Sequence, residues 1–145
     1  MTEHYKTDDE IRKLVSSFQA CSFHPSEFRH YQHLTVALWY VWHLPYARAV
    51  VRMTSGIRRL AETYGKTGYH ETITLFWLRL VSRFAAGIEP GASLAVTANR
   101  LIDKYNDKNL IREYYSSELL ASAEAKADWV EPDLKKLEGK PEISR

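Results

Sequence analysis

The sequence predicts an all-α protein: an antiparallel helical bundle of four main helices, followed by short C-terminal ones. Two observations carry this expectation. Apolar residues recur at three- and four-residue spacing along the chain, and no run alternates polar and apolar for long enough to make a strand. The punctuation agrees. There is no Asn-Gly or Asp-Gly hairpin signal, while Thr7, Pro45, Gly65, Gly87 and Ser93 fall at the ends of periodic segments.

A first helix starts at Thr7, with Asp8, Asp9 and Glu10 in its first turn, where acid suits the positive end of the helix dipole. Ile11, Leu14, Val15 and Phe18 form its buried stripe, and Ala20 to Pro25 breaks it. A second helix begins between Ser26 and His30 and runs to about Leu44. His30, His33, Leu34, Ala37, Val41 and Leu44 share one face. Leu38, Trp39 and Trp42 make other faces apolar too, which places this helix inside a bundle. Pro45 opens a third helix at its first position. Tyr46, Val50, Met53, Ile57, Leu60 and Tyr64 form the apolar stripe, Arg48, Arg52 and Arg59 lie opposite, and Gly65 is a natural left-handed cap.

A fourth helix starts near Tyr69 or His70 and ends at about Ala86, before Gly87. Its centre, Ile73 to Leu78, is apolar on most sides. A fifth covers Ser93 to Tyr105. A short helix holding Leu110, Ile111, Tyr114 and Tyr115 follows, and Ser116 or Ser117 caps another through Leu120. Trp129 anchors an otherwise irregular stretch. The second and fourth helices make the inner pair, and the third and fifth close it. The expected organisation is one helical domain over 1–131 and an irregular, flexible tail over 132–145.

Composition narrows the function classes. The 145 residues fit one domain, and 45% hydrophobic with 26% charged residues describes a globular chain rather than a disordered one. A net charge of +2 is too near balance to point to nucleic acid. The single cysteine, Cys21, has no partner for an internal disulfide, which suggests a reducing compartment. Met1 to Lys6 carries charge and no apolar core of a secretory signal. Leu34 to Leu44, the most apolar segment, falls well short of the roughly 20 residues that span a bilayer. A soluble cytoplasmic protein with no membrane partner is expected.

Two stretches hold the candidate chemistry: Phe28-Arg29-His30-Tyr31-Gln32-His33-Leu34 and Tyr69-His70-Glu71-Thr72-Ile73-Thr74. Residues three apart on a helix lie about 60° apart around the axis, so His30 and His33 can point into one space. His70 falls on the helical face of Ile73, Thr74 and Trp77, and Glu71 is its neighbour. Three imidazoles and one carboxylate suit zinc, iron or manganese, and bundle cores build such sites. Other readings stand beside this one: a histidine-lined pocket without metal, or histidines that cap helices and satisfy carbonyls. The zinc-protease motif does not apply, because Thr74 stands where its second histidine belongs. His24 reads as a bystander, His43 as a helix-end cap and His4 as disordered. Cys21 reads as a packing residue, and the arginines of the third helix as a solvated face.

Those two blocks, with Tyr114-Tyr115-Ser116-x-Glu118-Leu119-Leu120-x-Ser122, resemble a family of small bacterial helical proteins of uncharacterised function. The resemblance covers roughly residues 20 to 134 and departs from the pattern at Ser117, where the family has proline. It implies that His30, His33, His70 and Glu71, together with Thr72 and Thr74, form one functional pocket. The general plan is also similar to the DinB-like bundles, which gather histidines from separate helices around a metal.

The resulting expectation is a metal-dependent small-molecule enzyme. His30, His33 and His70 would hold a divalent ion, Glu71 would be a further ligand or the general base, and Glu71 and His70 would be the catalytic groups. Thr72 and Thr74 would orient them, Tyr31, Trp77 and Tyr115 would wall the pocket, and Glu118 would lie near it. The alternative is a non-catalytic module that binds a small ligand, a protein partner or a second copy of itself as a homodimer, with structural histidines.

Overall fold

Thr7 caps the first helix, α1 (Asp8–Gln19), from both sides. Its hydroxyl accepts from the Glu10 N–H at 3.3 Å, and the Glu10 carboxylate accepts from the Thr7 N–H at 2.9 Å. Ile11, Val15 and Phe18 are buried, as their spacing requires, and Leu14 packs at the edge of the core. The computed structural model describes residues 3–137, and no strand occurs among them.

A 3-10 turn at Pro25–Glu27 leads into α2 (His30–His43). Every residue from Leu34 to Leu38 is buried, so this helix has no wet side through its middle. It packs against α1, α3 (Tyr46–Thr63), α4 (Glu71–Ala86) and α5 (Leu94–Tyr105), and its contact with α4 is the most extensive in the molecule. Pro45 sits just outside α3, one position earlier than expected, where its missing N–H costs nothing. Gly65 ends α3 at φ 65°. Its N–H reaches the Glu62 carbonyl at 3.1 Å, and the Lys66 N–H reaches Ala61 at 2.8 Å, the paired bonds of a Schellman cap. Ser93 caps α5 by accepting from the Val96 N–H at 3.1 Å.

After α5 the chain departs from the sequence expectation. Lys108–Glu113 is a 3-10 segment rather than an α-helix, and Tyr114 and Tyr115 lie beyond it. α6 (Ser117–Ala121) follows the Ser116 cap as expected. α7 (Ala123–Ala127) was not legible, because it carries no apolar stripe and buries only Ala125. The irregular stretch beyond it is fastened down. Tyr115 donates to the Val130 carbonyl at 2.7 Å, and the Ser116 hydroxyl donates to Asp133 at 2.6 Å. The Leu134 N–H reaches the Tyr114 carbonyl at 2.9 Å. Hydrogen bonds thus run past residue 131, the expected end of the helical domain. Residues 138–145 of the expected tail lie outside the described residues.

No helix among the described residues is long and apolar enough to cross a membrane. The N-terminal segment is also tied in. Asn99 accepts from the N–H groups of His4 and Tyr5 at 2.9 and 3.1 Å and donates to the Tyr5 carbonyl at 2.8 Å. The expectation that His4 is disordered is therefore corrected.

α1 and α3 meet at Gly56, where a Cβ would lie 2.5 and 2.6 Å from Cε2 and Cζ of the fully buried Phe18 ring. Gly56→Ala is expected to lower stability by about 1–3 kcal/mol despite the better helix propensity of alanine, because a packed ring must move. Chemical denaturation measures this, and an unchanged or raised midpoint would contradict the close approach.

Candidate functional site

The sequence-predicted residues separate into two groups. His70 is the N-cap of α4 and has an extended backbone, φ −130° and ψ 109°. Its Nδ1 accepts from the Ile73 N–H at 3.1 Å, so its proton sits on Nε2, which donates to the Leu120 carbonyl at 2.7 Å. Both ring nitrogens are engaged with backbone. Glu71 accepts from the Tyr69 hydroxyl at 2.6 Å and pairs with Arg58 at 3.1 Å. Burial, with the Glu71 carboxylate second, raises the Tyr69 pKa and keeps that phenol a donor.

Thr72 is fully buried. Its hydroxyl donates to the Asp128 carbonyl at 2.7 Å and accepts from the Val130 N–H at 3.2 Å. Thr74 donates back to the His70 carbonyl at 2.9 Å. Tyr115 is fully buried against this region, and burial holds its hydroxyl protonated. Glu118 is exposed in the first turn of α6. His70 and Thr72 fasten the C-terminal segment to the start of α4, and Tyr115 holds that segment to itself at Val130.

His30 and His33 instead line a cavity of about 1010 Å³ at the amino-terminal end of α2, together with Tyr31 and Trp77. His30 Nε2 donates to the Tyr105 carbonyl at 3.1 Å, which leaves Nδ1 without a protein partner among the described residues. Its ring meets the edge of Trp77 at 4.4 Å between centroids. Burial lowers its pKa, opposed by the Tyr105 carbonyl and Asp107. His33 is half-buried and stacks on Phe28 at 4.1 Å. Neither of its nitrogens is bonded within the described residues. Burial, with repulsion from His30 second, pushes its pKa down to about 4. Both imidazoles are neutral at neutral pH.

The expected ligand set of three histidines and Glu71 does not fit a metal as the residues stand. His70 and Glu71 do not line the cavity that His30 and His33 share, and their ligating atoms are taken by backbone, Arg58 and Tyr69. Among the described residues no group of three or more His, Cys, Asp or Glu side chains is placed to hold an ion.

The cavity is lined by residues that periodicity did not reveal. Arg29 precedes α2, and Lys108 and Arg112 come from the 3-10 segment after α5, where basic residues show no helical pattern in sequence. His4 also reaches the cavity, with its ring 4.8 Å from that of Tyr31. The other histidines do local work. His24 accepts from the Ser26 N–H at 3.1 Å, and His43 donates to the Trp39 carbonyl at 2.9 Å at the end of α2.

Compared with protein-family models, with curated proteins and with solved structures, the chain finds no match.

Thr72→Val is expected to cost about 1–3 kcal/mol, because it strands the Asp128 carbonyl and the Val130 N–H at a nearly isosteric site. Denaturant unfolding measures this, and an effect under a few tenths of a kcal/mol would show that water replaces the clamp.

The lowered histidine pKa values set an acid limb. His33 falls from an ordinary 6.5 to about 4 on folding, so the unfolded chain takes up its proton first. Its contribution to stability is fully present above 6.5 and is lost as pH falls from there to about 4. His30 shifts in the same direction. Melting temperature against pH should decline across this window, and more gently in His33→Gln. Identical profiles for the two proteins would contradict a depressed His33.

Proposed function

We propose that this protein binds a small anion carrying an apolar, planar portion, held in the cavity at the amino-terminal end of α2. The observation that carries this reading is the charge of the lining. Arg29, Lys108 and Arg112 contribute to it, and no described Asp or Glu does. A unit charge pair at 4 Å is worth roughly 4 kcal/mol at an effective dielectric of 20 before desolvation, so three cations without a carboxylate favour an anion and oppose a metal ion.

The start of α2 adds to the same field. The Gln32 side chain accepts from the Arg29 N–H at 2.8 Å, but among the described residues the His30 and Tyr31 N–H groups have no acceptor. They stand at the positive end of a 14-residue helix. Asp107 lies close enough to raise the His30 pKa and offsets part of this field, but it does not line the cavity, and its carboxylate accepts from the Asn109 N–H at 3.0 Å.

The neutral imidazole of His33 can donate one hydrogen bond to the anion without adding charge, whereas the Nδ1 of His30, whose proton sits on Nε2, can only accept, as from a hydroxyl of the ligand. Tyr31, Ile73 and Leu120, half-buried among the lining residues, offer apolar surface for a flat group. Binding needs nothing from Glu71, which serves Arg58 and Tyr69. The non-catalytic alternative therefore gains most from the arrangement of these side chains.

Titration calorimetry at neutral pH with phenyl phosphate, inorganic phosphate and phenol tests the reading. Phenyl phosphate is expected to bind best and phenol least. Arg112→Ala should weaken phenyl phosphate by about tenfold through loss of a charge-assisted contact. Equal binding of phenol and phenyl phosphate, or no heat from either anion, would overturn it.

A further inference from the structure

We infer that His70 is a positioning residue that fixes the apolar wall of this cavity and so sets the preference for the apolar portion of the ligand; the inference rests on the anion-binding reading above. His70 does not line the cavity, but both residues it holds do. Its Nδ1 accepts from the Ile73 N–H at 3.1 Å and its Nε2 donates to the Leu120 carbonyl at 2.7 Å, and Ile73 and Leu120 both face the cavity beside Trp77 and Ile111. One ring thus joins two lining residues that come from different elements, α4 and α6.

The joint matters because the His70 bond ties α6 directly to the start of α4, whereas the Ser116 cap bonds Asp133, and Leu119 and Leu120 pack only at the edge of the core. α6 is five residues long, buries none of them fully, and meets α7 rather than the body of α4. α7 is fixed to α4, and the Thr72 bonds to Asp128 and Val130 secure the chain that follows. The Leu120 carbonyl is held to α4 by the His70 bond, while its side chain packs at the edge of the core. The charged side of the cavity is independent of that bond, since Arg29 belongs to the entry of α2, and Lys108 and Arg112 to the 3-10 segment.

This division gives a test that general destabilisation cannot mimic. His70→Asn keeps a side-chain acceptor for the Ile73 N–H, as asparagine caps helices well, but cannot reach Leu120. Affinities for phenyl phosphate and inorganic phosphate are measured by calorimetry, with hydrogen exchange followed over residues 117–121. Phosphate affinity is expected to stay at the wild-type value. The advantage of phenyl phosphate over phosphate should fall by about fivefold or more, a typical coupling between linked sites, and exchange over α6 should quicken.

Leu120→Ala, with His70 intact, should reproduce the lost advantage and serves where His70→Asn folds poorly. An unchanged advantage in both variants, unchanged exchange over α6, or equal weakening of both probes would overturn the inference. If wild-type protein binds neither probe, the anion reading falls by itself, and the exchange of α6 in His70→Asn still decides whether the ring fixes that wall.

Discussion

The burial of α2 on all sides constrains everything else in this molecule. Leu34, Thr35, Val36, Ala37 and Leu38 are consecutive and all buried, so no face of the helix can be given to water. A helix of this kind has to be enclosed, and α1, α3, α4 and α5 each pack against it. Thr35 shows how strict the enclosure is. Its hydroxyl donates to the Tyr31 carbonyl at 2.8 Å and accepts from Tyr5 at 3.0 Å, so the one polar group in the run is satisfied internally. The same burial raises the Tyr5 pKa to about 12 and keeps that phenol a donor.

A helix enclosed through its middle can meet solvent only at its ends, and its two ends differ. At the C-terminal end His43 donates back to the Trp39 carbonyl, which answers the negative pole. At the amino-terminal end the side chains at 29, 30, 31 and 33 are all polar or amphipathic, and the first turn carries no acid. The cavity lies there. Its electrostatics and its place have one origin: the apolar run stops at His33, and the residues from Phe28 to Gln32 that precede it are basic, imidazole, aromatic or amide and include no acid. Lys108 and Arg112 strengthen a field that the helix end already sets.

The all-helical character and most of the helices were legible because caps and stripes are local. Thr7 with Glu10, Ser93, Gly65 and the stripe of α1 require only neighbours in sequence. α7 was not legible, since Ala123–Ala127 depends on the Ser122 cap and one buried alanine, and neither makes a period. The site was half legible for a related reason. His30 and His33 lie within a helix, so three-residue spacing translates into a shared direction. His70 was assigned a helical face by counting back from Ile73, but its backbone is extended, and that count does not apply to an N-cap. The basic lining residues come from segments without regular period and meet only through the tertiary fold.

Histidine beside glutamate at the start of an apolar helix invites a catalytic reading, and the geometry here shows why position decides. An N-cap needs an acceptor for the N–H groups of the first turn, and a neutral imidazole provides one at Nδ1 while placing its proton on Nε2. That remaining donor then faces away from the helix and can hold a second element, as it holds Leu120. Serine or aspartate would cap α4 equally well but could not reach across. Glutamate one residue later complements the helix dipole and meets Arg58 from α3. The pair therefore joins three elements through ordinary capping chemistry, and the imidazole nitrogens without a partner among the described residues are those of His33 and the Nδ1 of His30.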